Sequence, residues 1–215
     1  MQLYYKKKSR NMVFNESLKL DDKLYFKEKA GKRIIVLHHT VSKREAGAEG
    51  VVRWWNQSGR PVATPFVIDT NGNIYRCFDE QYWSYHTGLG KWFDMVSIGI
   101  ELVNEGPLVL KGDKYLTTFG SIYTHQVYTF DGIWRGYIHF AFYPDKQIES
   151  LAKLVLYLCE KYNIKRSLAV SDIFTYTSPQ DIYKNGGIIA HSTVRADKTD
   201  VSVAFPLDKF LSFLR

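Results

Sequence analysis

One stretch near the carboxyl end decides the fold and indicates its chemistry: Gly186-Gly187-Ile188-Ile189-Ala190-His191-Ser192-Thr193-Val194-Arg195-Ala196-Asp197-Lys198-Thr199-Asp200. The short apolar run after the glycine pair predicts a buried strand that ends at His191. A histidine at a strand end, followed by a polar loop that returns an aspartate, is typical of a metal site built from one local segment. One segment does not complete such a site, so a further ligand is expected at the end of another strand.

A second apolar strand supplies that ligand. The stretch Arg33-Ile34-Ile35-Val36-Leu37-His38-His39-Thr40 places four aliphatic residues before a histidine pair, and a continuous apolar run is typical of a strand near the middle of a sheet. The working hypothesis is a zinc site with two imidazoles and one carboxylate: His38, His191 and Asp200. Three protein ligands with an open fourth position are the pattern of a catalytic zinc rather than a structural one.

Two further charged residues fit the chemistry of a catalytic zinc. Glu101 lies inside the apolar stretch Ser97–Val103, where partial burial would raise its pKa toward the range of a general base. Lys198, two residues before Asp200, is placed to face a developing oxyanion. Each residue alone has a plainer interpretation, with Glu101 facing solvent or Lys198 pairing with Asp197 or Asp200. The joint arrangement favours metal-assisted hydrolysis of an amide.

Composition limits the class of protein. The 215 residues are 45% hydrophobic and 15% aromatic, which is enough to bury the core of one domain of ordinary to large size. The net charge of +7 favours a polyanionic partner, and nucleic acid, anionic membrane and acidic wall polymers all qualify. No nucleic-acid recognition motif accompanies the charge, and no stretch is long and apolar enough to insert into a membrane. Cys77 and Cys159 are far apart in the sequence and are expected to be buried free thiols.

The chain is predicted to be a single mixed α/β domain, with a mixed central β-sheet flanked by helices. Residues 1–31 are polar and charge-rich and form an N-terminal arm that packs on the domain, which spans 32–215. Residues 104–143 form a long excursion with one or two extra strands. The other predicted elements are a helix over Glu45–Asn56 that carries Trp54 and Trp55, a hairpin turn at Asn71-Gly72, a helix that begins at Asp145, and a closing helix with Pro206 at its first position.

Three motifs resemble the zinc N-acetylmuramoyl-L-alanine amidase family, which includes phage lytic amidases, bacterial muropeptide-recycling amidases and animal peptidoglycan recognition proteins. They are Ile35-Val36-Leu37-His38-His39-Thr40, Ser97-Ile98-Gly99-Ile100-Glu101-Leu102, and the closing His191…Lys198-Thr199-Asp200. The motifs come in the family's order, and the resemblance covers roughly residues 33–214. It implies a peptidoglycan recognition protein/amidase-like fold with a groove that holds Zn²⁺ over the sheet. It also implies cleavage of the amide between the lactyl group of N-acetylmuramic acid and L-alanine.

The resemblance also implies a role for each matching residue. The segment Trp83-Ser84-Tyr85-His86-Thr87-Gly88 is similar to an aromatic-His-Gly loop that lines the family's groove, so its histidine is a candidate substrate contact. The implied roles are zinc ligands for His38, His191 and Asp200, general base for Glu101, oxyanion stabilisation for Lys198, and substrate binding for His86.

The departures from the family pattern lie mostly near the last motif. The family often has a proline before the lysine and Pro-Gly after the ligand aspartate, where this chain has Arg195-Ala196-Asp197 and Val201-Ser202. These departures affect the expected loop geometry more than the ligation. Many phage and animal members carry a catalytic tyrosine where this chain has Thr64-Pro65, so Glu101 gains importance here.

Three functions are compatible with the sequence. The first is a lytic, phage-endolysin-like enzyme that degrades peptidoglycan, to which the basic charge would be attracted. The second is a cytosolic recycling amidase that acts on soluble muropeptides, and the third is a non-catalytic peptidoglycan-binding module. The third predicts a broken ligand set, whereas every ligand position is filled. Because no apolar run follows the lysines of Met1–Lys8, we expect no signal peptide and synthesis in the cytoplasm. If the enzyme is lytic, we expect it to act at the cell wall. We expect a monomer by default.

Overall fold

The computed structural model describes residues 12–215 and contains two five-stranded sheets. The central sheet has the strand order β10-β1-β4-β2-β3, and the second has the order β7-β6-β5-β9-β8. The strands are β1 (Ile34–His39), β2 (Phe66–Ile68), β3 (Ile74–Arg76), β4 (Ser97–Leu102), β5 (Pro107–Lys111), β6 (Lys114–Thr117), β7 (Ile122–Tyr123), β8 (Val127–Trp134), β9 (Tyr137–Ala141) and β10 (Gly187–Ala190). The α-helices are α1 (Gly47–Ser58), α2 (Lys91–Asp94), α3 (Asp145–Tyr162), α4 (Pro179–Asn185), α5 (His191–Val194) and α6 (Leu207–Leu214).

Parallel pairing aligns the ends of three strands of the central sheet. β1 lies between β10 and β4 and runs parallel to both, with Leu37 opposite Ala190 and His38 opposite Glu101. β2 adds in parallel beside β4, and β3 closes that edge in the antiparallel sense. Every residue of β1 is buried, which confirms the central strand that its apolar run predicts. The carboxyl ends of β1, β4 and β10 therefore meet at one edge of the sheet.

The two faces of the central sheet carry separate cores. Because side chains alternate along a strand, Ile35 and Leu37 pack against α3 and α6 on one face. Ile34 and Val36 pack on the other face, in a cluster that includes residues of α2 and α4. His38 continues the alternation of Ile34 and Val36, so its imidazole belongs to the face opposite α3. The predicted mixed sheet with flanking helices is confirmed.

Residues 12–31 pack along the edge of the domain. Asn15 forms backbone hydrogen bonds with both ends of β3, while Leu20 and Leu24 are buried in a cluster with α1. The first eleven residues of the predicted arm over 1–31 lie outside the described residues, and the domain boundary at residue 32 remains a prediction.

The excursion over 104–143 is more ordered than the sequence indicates. One or two strands were expected there, whereas the structure has the five antiparallel strands β5 to β9. The expectation was wrong because these strands are short and lie partly in solvent. β8, for example, has no fully buried residue, so the usual alternation of apolar and polar residues is weak.

Most of the predicted helices are confirmed with small shifts. α3 begins at Asp145 as expected, and α6 begins one residue after Pro206. The tryptophan pair of α1 divides between core and surface, since Trp55 is 5% exposed and Trp54 is 63% exposed. The short helices α4 and α5 were not predicted, and α5 begins at His191 itself. The thiols of Cys77 and Cys159 are buried and free, as expected. No helix in the described part of the chain combines the length and apolarity needed to cross a membrane.

A buried ion pair joins the segment between β4 and β5, which connects the two sheets, to the turn before α1. Loss of this pair should lower the stability of the fold. Arg44 donates through its Nε and Nη2 to the two carboxylate oxygens of Glu105, each at 3.0 Å, and the Glu105 side chain is 3% exposed. We expect Glu105→Ala to lower the free energy of unfolding by about 3 kcal/mol, because the Arg44 charge is left without its partner. Denaturant unfolding measures this. Glu16→Ala, which removes an exposed carboxylate paired with Lys19 and Arg76, is the control and should change stability much less. Equal effects of the two variants would contradict the prediction.

Candidate metal centre

The three predicted ligands converge at the carboxyl edge of the central sheet. His38 lies near the end of β1, His191 follows β10 directly, and Asp200 lies in the loop after α5. Their ligand atoms all lie within 4.8 Å of one another, and all three residues are buried. Asp200 Oδ2 lies 2.9 Å from His38 Nδ1 and 3.0 Å from His191 Nδ1. The parallel register and one short loop are sufficient to bring the three side chains together.

The far nitrogen of His191 defines its tautomer. His191 Nε2 lies 2.9 Å from the carbonyl oxygen of Thr87, which can only accept a hydrogen bond, so Nε2 carries the proton. A neutral His191 therefore presents the lone pair of Nδ1 to the Asp200 carboxylate. Two acceptors that face each other at 3.0 Å repel, unless a cation or a proton lies between them.

A relay of hydrogen bonds defines the tautomer of His38. Ser97 Oγ donates to the carbonyl oxygen of Asp94 at 3.2 Å, so it accepts from His86 Nε2 at 2.9 Å. His86 Nδ1 is then an acceptor, and His38 Nε2 donates to it at 2.9 Å. His38 Nδ1 thus also presents a lone pair to Asp200. Supporting hydrogen bonds of this kind orient histidine ligands in metal sites.

The electrostatics of the site favour a positive charge beside the Asp200 carboxylate, supplied by a proton or by a cation. Burial lowers the pKa of His38 to about 4, so this imidazole is neutral at pH 7. Burial alone would raise the pKa of Asp200, but protonated imidazoles of His191 and His38 beside it outweigh burial and hold that pKa well below its ordinary value. A bound cation would take the place of those protons. Two imidazole lone pairs and one carboxylate are the ligand set of a divalent cation, and this combination suits zinc.

Gly99 leaves the space that the relay needs. A Cβ atom at Gly99 would lie 2.5 Å from Thr64 Cγ2 and 3.0 Å from His86 Nδ1. The first distance is shorter than any normal contact, and the second allows no further approach of the ring. A side chain at this position would therefore displace His86 from His38.

Glu101 reaches the same edge of the sheet without a fixed partner. Its backbone pairs in register with His38, and its Oε2 atom is buried without a hydrogen-bond partner in the described part of the chain. Burial, with a smaller contribution from the Asp200 charge, raises the pKa of Glu101 well above its ordinary value. A carboxyl group with these properties can act as a general base.

Lys198 is half-buried beside the ligands, and its charge contributes to the lowered pKa of His38. Asp197 is engaged by Arg195 through contacts of 2.8 Å and 2.7 Å. Within residues 12–215, Lys198 has no carboxylate oxygen within 4.0 Å. The alternative of a Lys198–Asp197 ion pair is therefore wrong, and the ammonium group remains available to a substrate.

The structure places His86 behind His38 rather than at an open surface. The His86 side chain is 5% exposed, and its two ring nitrogens already contact His38 and Ser97. The substrate contact that the sequence predicts for His86 is still untested, but this position favours a role in orienting His38.

Three supporting residues were missed by the sequence analysis. Thr87 and Ser97 act through a carbonyl group and a hydroxyl group whose partners depend on tertiary structure, although both lie inside motifs that the analysis considered. Arg135, in the turn between β8 and β9, donates to the carbonyl oxygen of Ser192 at 3.1 Å and to that of Ala196. Nothing in the excursion's sequence indicates that one of its side chains reaches the ligand loop.

The fold and site together define an α/β protein with a candidate catalytic metal centre at the carboxyl edge of its central sheet. The chain belongs to the N-acetylmuramoyl-L-alanine amidase family, whose model matches residues 29–202. The match includes all the predicted ligands, Glu101 and Lys198. No curated protein sequence matches the chain.

Solved structures of amidases and endolysins share the fold. The catalytic domain of XlyA has a TM-score of 0.58 and 14% identity, covering 95% of this chain and 100% of that one. A mutant endolysin from Bacillus subtilis has a TM-score of 0.56 and 15% identity, covering 94% and 97%. The E. coli N-acetylmuramyl-L-alanine amidase AmiD, solved with anhydro-N-acetylmuramic acid-L-Ala-D-gamma-Glu-L-Lys, has a TM-score of 0.54 and 18% identity. That similarity covers 87% of this chain, which spans 59% of the length of AmiD.

The relay through His86 predicts a measurable contribution to metal affinity. We expect His86→Ala to weaken zinc binding by about 10- to 100-fold, because His38 loses the acceptor that fixes its ring and its tautomer. Competition with a chromophoric chelator measures the dissociation constant.

The control for this prediction is His125→Ala, which removes a surface histidine paired with Glu45. That variant should bind zinc as the wild type does. Unchanged zinc affinity in His86→Ala would show that His38 needs no support from the relay.

Proposed function

We propose that this chain is a zinc-dependent N-acetylmuramoyl-L-alanine amidase that hydrolyses the amide bond between N-acetylmuramic acid and L-alanine in peptidoglycan. The observation that carries the proposal is the convergence of three ligand atoms, since Nδ1 of His38 and Nδ1 of His191 lie 2.9 Å and 3.0 Å from the Asp200 carboxylate and the outer ring nitrogens have partners of their own. Membership of the amidase family supports the choice of substrate bond.

Glu101 and Lys198, beside the metal ligands, have separate roles in the hydrolysis of the amide. Zinc, when bound, supplies a Lewis acid that polarises the substrate carbonyl and makes water a better nucleophile near pH 7. Glu101 accepts a proton from the attacking water as the new carbon–oxygen bond forms. Lys198 donates a hydrogen bond to the oxyanion that develops on the carbonyl oxygen. Glu101 then returns the proton to the leaving nitrogen and the carbon–nitrogen bond breaks. The stem peptide leaves with a free amino group on its L-alanine, and the lactyl group keeps the new carboxylate.

A lytic role at the cell wall is the form of this activity that we favour. The chain carries a net charge of +7, which would attract it to the anionic polymers of a bacterial wall. Endolysins are among the proteins that share its fold. The corresponding place of action is the wall, after synthesis in the cytoplasm.

A recycling role on soluble muropeptides is the second candidate. AmiD, which shares the fold, was solved with a muramyl peptide. Hydrolysis rates on intact cell walls and on soluble muropeptides separate the two roles. A lytic enzyme prefers the walls, and a recycling enzyme prefers the soluble fragments.

The first test of the proposal removes one ligand. We expect the wild type to contain about one zinc per chain and to release new L-alanine amino termini from purified peptidoglycan, and we expect Asp200→Ala to lose both properties. Elemental analysis and amino-group labelling measure the two quantities. Asp197→Ala is the matched control, because it removes an exposed carboxylate from the same loop and should retain zinc and activity. A zinc-free wild type that binds peptidoglycan without cleaving it would instead indicate the non-catalytic module.

A second test separates the general base from the ligands. Because the pKa of Glu101 is raised in the folded state, its ionisation opposes folding at every pH above the ordinary carboxyl pKa. Glu101→Gln should therefore keep zinc, lose at least about 100-fold in kcat, and stabilise the zinc-free protein at pH 7 by an amount of order 1 kcal/mol. Thermal unfolding at pH 7 and pH 4 measures the last effect, which should shrink at the lower pH. Retained activity in Glu101→Gln would exclude this residue as the base.

A further inference from the structure

An open cleft lies between the second sheet and the loop before α4. Its volume is about 510 Å³, which is within the range of small-molecule sites. Four aromatic rings contribute to its lining, and Tyr176 is the most exposed of them at 51%. The aromatic and charged residues of the lining are Phe130, Trp134, Arg135, Asp172, Phe174 and Tyr176.

The hairpin of β8 and β9 fixes one wall of this cleft to the ligand loop. Arg135, at the hairpin turn, donates to the carbonyl oxygens of Ser192 and Ala196. Val203, three residues after Asp200, also lines the cleft. The cleft is therefore continuous with the segment that carries the metal ligands.

A hydrogen bond and a ring contact fix the positions of the aromatic side chains across the cleft. Trp134 Nε1 donates to the carbonyl oxygen of Phe174 at 3.2 Å, and the two rings meet edge to face with their centroids 6.3 Å apart. A preformed aromatic surface of this kind can take a ligand with little loss of conformational entropy.

The charged side chains of the cleft are already engaged within the protein. The guanidinium group of Arg135 bonds to the two loop carbonyls and lies 5.6 Å from the centroid of the Trp134 ring. The carboxylate oxygens of Asp172 accept hydrogen bonds from the Phe174 amide at 2.9 Å and from Thr175 Oγ1 at 2.7 Å. The one positive and the one negative charge of the lining balance, and the rest of the surface left for a ligand is mostly aromatic. A stem peptide, with its free carboxylates, would find few partners here.

We propose that this cleft binds the glycan strand of peptidoglycan, with an uncharged N-acetylated sugar ring packed on the exposed face of Tyr176. A pyranose ring offers an apolar face of C–H groups and a rim of hydroxyl groups, which matches aromatic rings bordered by backbone polar atoms. The inference rests on the proposed function, because a glycan strand carries the muramoyl group whose amide would enter the metal site.

The test compares Tyr176→Ala with the wild type on two substrates: glycan strands that bear stem peptides, and a muramyl peptide with a single sugar. We expect KM for the glycan strands to rise about 2- to 10-fold, as expected for the loss of one aromatic contact. kcat and KM for the single-sugar substrate should stay unchanged. Tyr128→Ala, which removes a 37% exposed tyrosine of β8 that does not line the cleft, is the matched control and should behave as the wild type on both substrates.

Failure of this inference and failure of the proposed function give different results. If the wild type cleaves both substrates and Tyr176→Ala changes neither or changes both equally, the glycan subsite is wrong. An increase in KM on the single-sugar peptide alone would indicate that the cleft holds the stem peptide, which also overturns the proposal. If the wild type cleaves neither substrate, the proposed function fails. Tryptophan fluorescence with a peptide-free N-acetylglucosamine tetrasaccharide then tests the cleft itself, and binding that Tyr176→Ala weakens would retain it.

Discussion

The contact between one carboxylate and two imidazole lone pairs is the constraint on which the rest of the structure depends. Asp200 Oδ2 lies about 3 Å from both Nδ1 atoms, and the hydrogen bonds behind the rings place the protons on the far nitrogens. Such an arrangement is unfavourable unless a cation or a proton lies between the ligand atoms, so the surrounding protein must hold it in place. The central sheet does so by fixing His38 near the end of a fully buried strand.

The hydrogen-bond network behind His38 explains why few other residue types would fit at Gly99 and Ser97. Gly99 is required by contact distances, because a Cβ atom would meet both Thr64 and His86. Ser97 must accept a hydrogen bond from His86, and it does so because its own proton goes to the carbonyl oxygen of Asp94. The orientation of one metal ligand is thus determined four groups away from the metal position.

The sequence predicts the ligands and not the network because the two depend on different information. His38 and His191 follow apolar runs, and parallel strands bring such ends together whatever the remaining details. The orientation of His86 depends on a missing side chain at Gly99 and on a hydroxyl rotamer at Ser97, which leave no periodic pattern. The second sheet was underestimated for a related reason, since its strands lie partly in solvent and strand β8 has no fully buried residue to give a clear alternation.

The ligand loop shows how an unusual sequence can still give a rigid site. The prolines that the family often places around the lysine and the ligand aspartate are absent from this chain, and proline restricts backbone freedom by fixing φ. In this chain, hydrogen bonds from side chains to the loop backbone restrict its conformation instead. Arg135 bonds to the carbonyl oxygens of Ser192 and Ala196, and Tyr143 Oη accepts the amide proton of Ser202 at 3.3 Å. Both Arg135 and Tyr143 come from the excursion that precedes α3, so the excursion can be understood as the part of this chain that holds the ligand loop by tertiary contacts. It can do so only while it stays packed on the domain, and the buried Arg44–Glu105 pair at its start is one of the contacts that keep it there.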